Sequence, residues 1–191
     1  MTFYSIGHSH IPIERFSELL TLHRIETLTD VRSQPYSRFA PQYNRQTLQT
    51  ALARVGIVYR YRGDTLGGRP QDPRYRRPDG TVDYLRLAQA PHYRQGLHEL
   101  RREAEQSRLA VMCAEADFRT CHRYWLITRS LTDEGLEVQH ILSSGALVGT
   151  APGAFSAITE QLPLFSPHGS NGDGCGRATF SHAVTLRTCQ D

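Results

Sequence analysis

Four short groups of residues carry side chains from which catalysis is usually built: His8-Ser9, Asp30 with Arg32, Cys113 with Glu115 and Asp117, and Cys121-His122-Arg123. Carboxylates and imidazoles move protons, thiols attack electrophiles, and guanidinium groups grip phosphates in a planar fork. Glu115, Asp30 and His8 are the candidate catalytic residues, Glu115 or Asp30 acting as general base or as the carboxylate that stabilises an oxocarbenium ion. Ser9, Arg32, Ser37, Arg38, Asn44, Gly68, Arg69, Cys121, His122 and Arg123 are the candidates for substrate and phosphate contact. Two other chemistries use the same residues. Cys113 and Arg119 have the C-x5-R spacing of cysteine phosphatases, but Glu115 and Asp117 would line the anion cradle and oppose both dianion and thiolate. Cys113, Cys121 and His122 offer zinc donors, but C-x7-C-H matches no usual structural site and adjacent Cys and His seldom reach one ion. The expectation is therefore no metal and no cofactor.

These residues need a frame, and the hydrophobic pattern supplies one. Short apolar runs over 3–7, 27–31, 57–61, 109–112 and 138–142 read as strands. Helical spacing covers 11–22, 45–55, most of 84–106 with a break at Pro91, and 121–131. Strands alternating with helices predict a three-layer α/β domain, residues 1–145, with a mostly parallel five-stranded sheet and helices on both faces. In such a sheet ligands bind beyond the carboxyl ends of the strands, which is where the four groups fall. The long Pro- and Gly-rich loop over 62–80 is expected to bind or to cover the site. From 146 to 191 the chain reads as a flexible tail, since seven of the 15 glycines fall at Gly145 or later.

Composition removes whole classes of function. All 22 basic residues are arginine, so there is no Walker A lysine, no pyridoxal-phosphate Schiff base and no lysine-based DNA lyase. No apolar run is long enough for a membrane span, and the first residues lack a basic region followed by an apolar stretch, so a cytoplasmic protein without membrane contact is expected. Four cysteines, unevenly placed, do not make a disulfide scaffold. The net charge of +3 hides a concentration: ten arginines against two aspartates between Arg32 and Arg77, with Tyr36, Phe39, Tyr43, Tyr59, Tyr61 and Tyr75 among them. Guanidinium groups for phosphates and rings for bases suit DNA or a nucleotide as partner.

Inside the tail, Gln161-Leu162-Pro163-Leu164-Phe165 resembles the QLxLF segment by which bacterial DNA-processing proteins dock on the replication sliding clamp. Gln161 would set register, and Leu162, Leu164 and Phe165 would enter an apolar groove. The alternative is a segment that clips the tail to the domain.

Several stretches together resemble the bacterial family catalogued as domain of unknown function 488. They are Ser5-Ile6-Gly7-His8-Ser9, Asp30 through Arg38, Pro41 through Asn44, Leu66-Gly67-Gly68-Arg69, Cys113-Ala114-Glu115 and Cys121-His122-Arg123. The resemblance implies a compact α/β domain and a QLxLF-like end, from which this chain departs by running 26 residues past Phe165. Three functions remain open. The first is a DNA-maintenance enzyme on the sliding clamp, acting on a nucleobase or its N-glycosidic bond as a monofunctional, lysine-independent glycosylase. The second is a non-catalytic DNA or clamp adaptor, against which the acidic rim argues because carboxylates repel phosphate. The third is a small-molecule nucleotide hydrolase.

Overall fold

The computed structural model describes residues 1–156. Six strands form one sheet: β1 (Thr2–Gly7), β2 (Thr27–Asp30), β3 (Val58–Tyr61), β4 (Leu109–Cys113), β5 (Glu137–Ile141) and β6 (Leu147–Thr150), in the order β3-β2-β4-β1-β5-β6. The first five run parallel, with Tyr4 beside Ala110 and Gln139, while β6 runs antiparallel to β5. The sheet is therefore six-stranded and mixed, not five-stranded. The expected flexible tail begins too early at 146, because the chain turns at Gly145 (φ +95°), pairs as β6 and buries Phe155. Gly149 disguised this strand: an edge strand needs only one covered face, and a glycine in four residues erases its alternation.

Alternation within β4 shows how the layers are made. Leu109, Val111 and Cys113 face one core, Ala110 and Met112 the other. Helices α1 (Ile13–Leu22) and α2 (Arg45–Arg54) cover the second face with Phe16, Leu19, Leu20, Leu48 and Leu52, all fully buried. Each such side chain contributes roughly 1.5–3 kcal/mol of transfer free energy. The first face is covered by α3 (Gly63–Leu66), α4 (Tyr84–Leu87) and α5 (Pro91–Gln106), where Pro91 occupies the first turn and needs no amide partner. A π-helical turn, Arg123–Thr128, continues into α6 (Arg129–Asp133) where a single helix was expected. No helix among the described residues is long and apolar enough to cross a membrane. Gln161, Leu162, Leu164 and Phe165, with Cys175 and Cys189, lie outside the described residues.

The loop before α4 is more ordered than its composition suggests. Residues 76–82 form a tight hairpin in which Arg77 N–H donates to Thr81 O (2.8 Å), and Asp79 accepts from the Thr81 amide (2.9 Å) and hydroxyl (2.6 Å). This hairpin stands over the carboxyl ends of the strands and forms one wall of the site.

Candidate active site

A cavity of about 910 Å³ opens at the carboxyl ends of β1, β2 and β4. Its floor holds His8, Arg32, Cys113, Glu115, Cys121 and His122. Its rim holds Tyr36, Phe39, Arg69, Arg76, Arg77 and Trp125. Two halves of the floor differ in how their polar atoms are used.

One half is built on β1 and β2. Asp30 is fully buried, and its carboxylate accepts from Arg32 Nε (2.9 Å), Arg32 Nη2 (2.7 Å), the Arg32 amide (3.0 Å) and the Tyr59 hydroxyl (2.7 Å). Arg32 also donates through Nη2 to the Tyr43 carbonyl (2.7 Å) and through Nη1 to His8 Nε2 (3.2 Å). Burial opposes the Arg32 charge, but Asp30 outweighs it and holds the guanidinium above its ordinary value. His8 Nδ1 donates to Ser9 O (2.8 Å), which fixes the tautomer and leaves Nε2 as acceptor for Arg32. Burial, with the Arg32 charge beside it, lowers the His8 pKa to about 4. The ring lies flat on Tyr43, centroids 4.1 Å apart. Asp30 and His8, expected in catalysis, are thus occupied in holding Arg32. Tyr43 and Tyr59, expected among base-stacking rings, serve the same network from beneath.

The other half is built on β4 and the turn into the π-helix. Cys113 closes β4 on the α5 side, and Cys121 follows in an extended conformation after a turn capped by Asp117, whose carboxylate accepts from Arg119 N–H (2.9 Å). Cys113 and Cys121 both donate to Glu115 Oε2, at 3.0 and 3.2 Å. Glu115 Oε1 has no partner among the described residues. His122 Nε2 donates to Val31 O (3.1 Å), and Nδ1 lies 3.6 Å from Cys113 Sγ and 3.7 Å from Cys121 Sγ. The contact with Cys121 Sγ, helped by His122, pushes the Cys113 thiol well below its ordinary value against the opposing effect of burial, whereas burial pushes Cys121 up.

Three donors of metal-ligand type, Cys113 Sγ, Cys121 Sγ and the His122 imidazole, lie within 4.8 Å of one another. Adjacency in sequence therefore does not keep the Cys121 and His122 donors apart. The extended backbone at Cys121 (φ −119°, ψ 148°) followed by a helical His122 (φ −59°, ψ −24°) turns both side chains to one point. Two glycines permit this packing. A Cβ on Gly68 would stand 2.4 Å from His122 Cβ, and one on Gly7 would stand 1.9 Å from Glu115 O.

The remaining candidates divide between wall and support. Ser9 (φ +46°) donates its amide to Ala114 O (2.7 Å) and ties β1 to the Glu115 turn. The Arg69 amide donates to Ser33 Oγ (3.0 Å), leaving its exposed guanidinium at the rim. Ser37 and Asn44 hold their own loop, through Asn44 Oδ1 accepting from Ser37 N–H (2.7 Å), and Arg38 lies over the Phe39 ring at 4.7 Å. Neither Arg38 nor Asn44 lines the cavity. Arg123, expected on a phosphate, is buried and donates to Glu115 O (2.7 Å) and Ala116 O (3.1 Å), so it braces the turn that carries Glu115. Arg119 stacks over Phe118 at 5.1 Å and does not line the cavity, which removes the arginine that the phosphatase spacing requires. Trp125 and Tyr84 also line the cavity; Trp125 lies only two residues past Arg123, but nothing local in the sequence marks Tyr84.

No curated protein and no solved structure matches the chain. A family model does match, over residues 12–129, described as Domain of unknown function DUF488. That span begins just after the His8-Ser9 turn and carries Asp30, Arg32, Cys113, Glu115, Cys121 and His122, and with it the chain belongs to the DUF488 family.

Proposed function

We propose that the protein is a DNA-maintenance enzyme that hydrolyses a C–N bond of a nucleobase or its N-glycosidic link, and that Glu115 is its general base. The observation that carries this reading is Glu115 itself. It is a half-buried carboxylate with one free oxygen, on the floor of an open cavity whose rim pairs arginines with exposed rings. Tyr36 and Phe39 are 73% and 76% exposed, and large rings left so open suit stacking on a base. Arg69, Arg76 and Arg77 bring positive charge to the same rim for phosphate. A base drawn from its stack into such a cavity meets the carboxylate and the thiol–imidazole floor together.

In this reading the free Glu115 oxygen accepts a proton from water, and the oxygen of that water attacks the electrophilic carbon. The C–N bond breaks, and the proton passes to the departing nitrogen. The absence of lysine makes such a glycosylase monofunctional. The segment at Gln161 and Leu162 through Leu164 and Phe165 would tether the enzyme to the sliding clamp in the cytoplasm.

The experiment is incubation with a panel of modified-base oligonucleotides and free nucleotides, read by mass spectrometry for released or altered base. Turnover of at least one oligonucleotide supports the reading. Turnover of free nucleotides alone would favour the small-molecule hydrolase, and binding without turnover the adaptor.

A further inference from the structure

We infer that Cys113, Cys121 and His122 form a zinc site of the open, three-ligand kind, with its fourth position facing the cavity beside Glu115. The metal site stands on the donor geometry alone. Its part in the chemistry rests on the function proposed above.

The distances fit a single ion. Zinc binds thiolate at about 2.3 Å and imidazole at about 2.0 Å, which places sulfur and nitrogen about 3.6 Å apart on a tetrahedron. The two Sγ–Nδ1 separations are 3.6 and 3.7 Å. With Nε2–H given to Val31 O, Nδ1 is the atom left to ligate, and it points at both sulfurs. Such a backbone acceptor behind a ligating imidazole fixes its ring and raises its basicity. The Arg123 amide donates to Cys121 Sγ at 3.4 Å, a contact that favours a sulfur carrying negative charge. Two thiolates and an imidazole are a donor set that selects zinc over the hard cations.

All three ligands line the cavity, so the fourth position opens toward substrate and not into the core. Zinc binding displaces the two thiol protons. Glu115 Oε2 then loses both of its donors and becomes an acceptor for water in the open position. The ion lowers the pKa of that water to about 7, and Glu115 takes its proton before oxygen attacks carbon and returns the proton to the leaving nitrogen.

The test is metal content and cobalt spectroscopy of the full chain. Reduced protein, stripped with chelator and dialysed against zinc, should hold one zinc per chain. Cobalt in its place should give thiolate-to-metal charge-transfer bands and the visible bands of a tetrahedral ion. Cys113→Ser and His122→Ala should each lose the zinc, whereas Cys175→Ser with Cys189→Ser should keep it, and Glu115→Gln should keep it too. Cobalt spectra on the unmutated chain decide the matter even if the ligand variants do not fold. No zinc uptake, cobalt bands without thiolate character, or zinc that follows Cys175 and Cys189 would each overturn the site. Loss of zinc from Glu115→Gln would make the carboxylate a fourth ligand and overturn the open position. Stoichiometric zinc with no turnover of any base would leave the site standing and sink the proposed function.

Discussion

The two halves of the cavity floor use similar residue types for opposite purposes. Around Asp30 each carboxylate oxygen has a donor, Arg32 reaches three different acceptors, and both His8 nitrogens are engaged. Around Glu115 one carboxylate oxygen is left without a donor among the described residues, facing space that a ligand can enter. A saturated network fixes geometry, and an unsaturated one leaves an atom free for a ligand. Charge and location at a strand end are common to both, so neither identifies a catalytic group without an account of where each lone pair goes.

The largest effect should come from breaking the saturated half. Asp30→Asn leaves the Arg32 guanidinium buried, at 6% exposure, without its counter-charge. A loss of about 3–5 kcal/mol is expected, read as a lower denaturant midpoint in chemical unfolding. A loss below about 1 kcal/mol would mean that the network is not structural.

Acid should act on His8 in the same half and on His140, which lies on β5 and does not line the cavity. His8, at about 4, and His140, pushed down to about 3 by burial with Arg123 and Arg119 nearby, both lie below the ordinary histidine value of 6.5. The unfolded chain therefore binds more protons than the folded one between those values. The stability due to each neutral ring is present above pH 6.5 and is lost as pH falls toward the folded value. Each ring should cost about 2 kcal/mol between about pH 7 and pH 5. His140 bonds Ser5 Oγ (2.6 Å) and Thr150 Oγ1 (3.0 Å), so His140→Gln tests the slope without adding a titrating group. The pH dependence of its melting temperature should be clearly shallower than that of the parent chain.

Effects at the rim should be smaller and confined to binding. Replacing Arg69, Arg76 and Arg77 together with Gln should weaken binding to DNA of any sequence and flatten the salt dependence by up to about three units of slope. Fluorescence anisotropy at several salt concentrations reads this directly. Arg74, two residues before this wall, is paired with Asp72 at 2.7 Å and should contribute little. The smallest effect on activity is expected from residues 161–165: if they dock on a sliding clamp as proposed, Leu164→Ala with Phe165→Ala should leave activity on a short oligonucleotide intact while removing the heat of binding to purified clamp.

Much of this architecture was legible because strand periodicity and strand-end chemistry are local. The runs before Gly7, Asp30 and Cys113 marked the three strands that carry the floor, and Leu66-Gly67-Gly68-Arg69 marked the glycine that lets its loop lie on His122. What stayed hidden depends on long-range saturation. Asp30 and Glu115 look equally reactive in sequence, and only Tyr59 and Arg32 separate them. Arg123 looks like a phosphate ligand until its donors are found on the Glu115 and Ala116 carbonyls. Cys121 and His122 look too close in sequence to share a ligand until one extended residue between two turns brings them together. β6 required knowing that β5 had an open edge.

The most direct test sets stability against turnover in Glu115→Gln. In the metal-free protein the amide oxygen can still accept from Cys113 and Cys121, so its unfolding free energy should stay within about 1 kcal/mol of the metal-free parent chain. Turnover of whichever nucleobase substrate the panel reveals should fall by about 10²–10⁴-fold, as removal of a general base requires. A variant that unfolds easily, or one that keeps its turnover, would contradict the assignment of chemistry to this half of the floor.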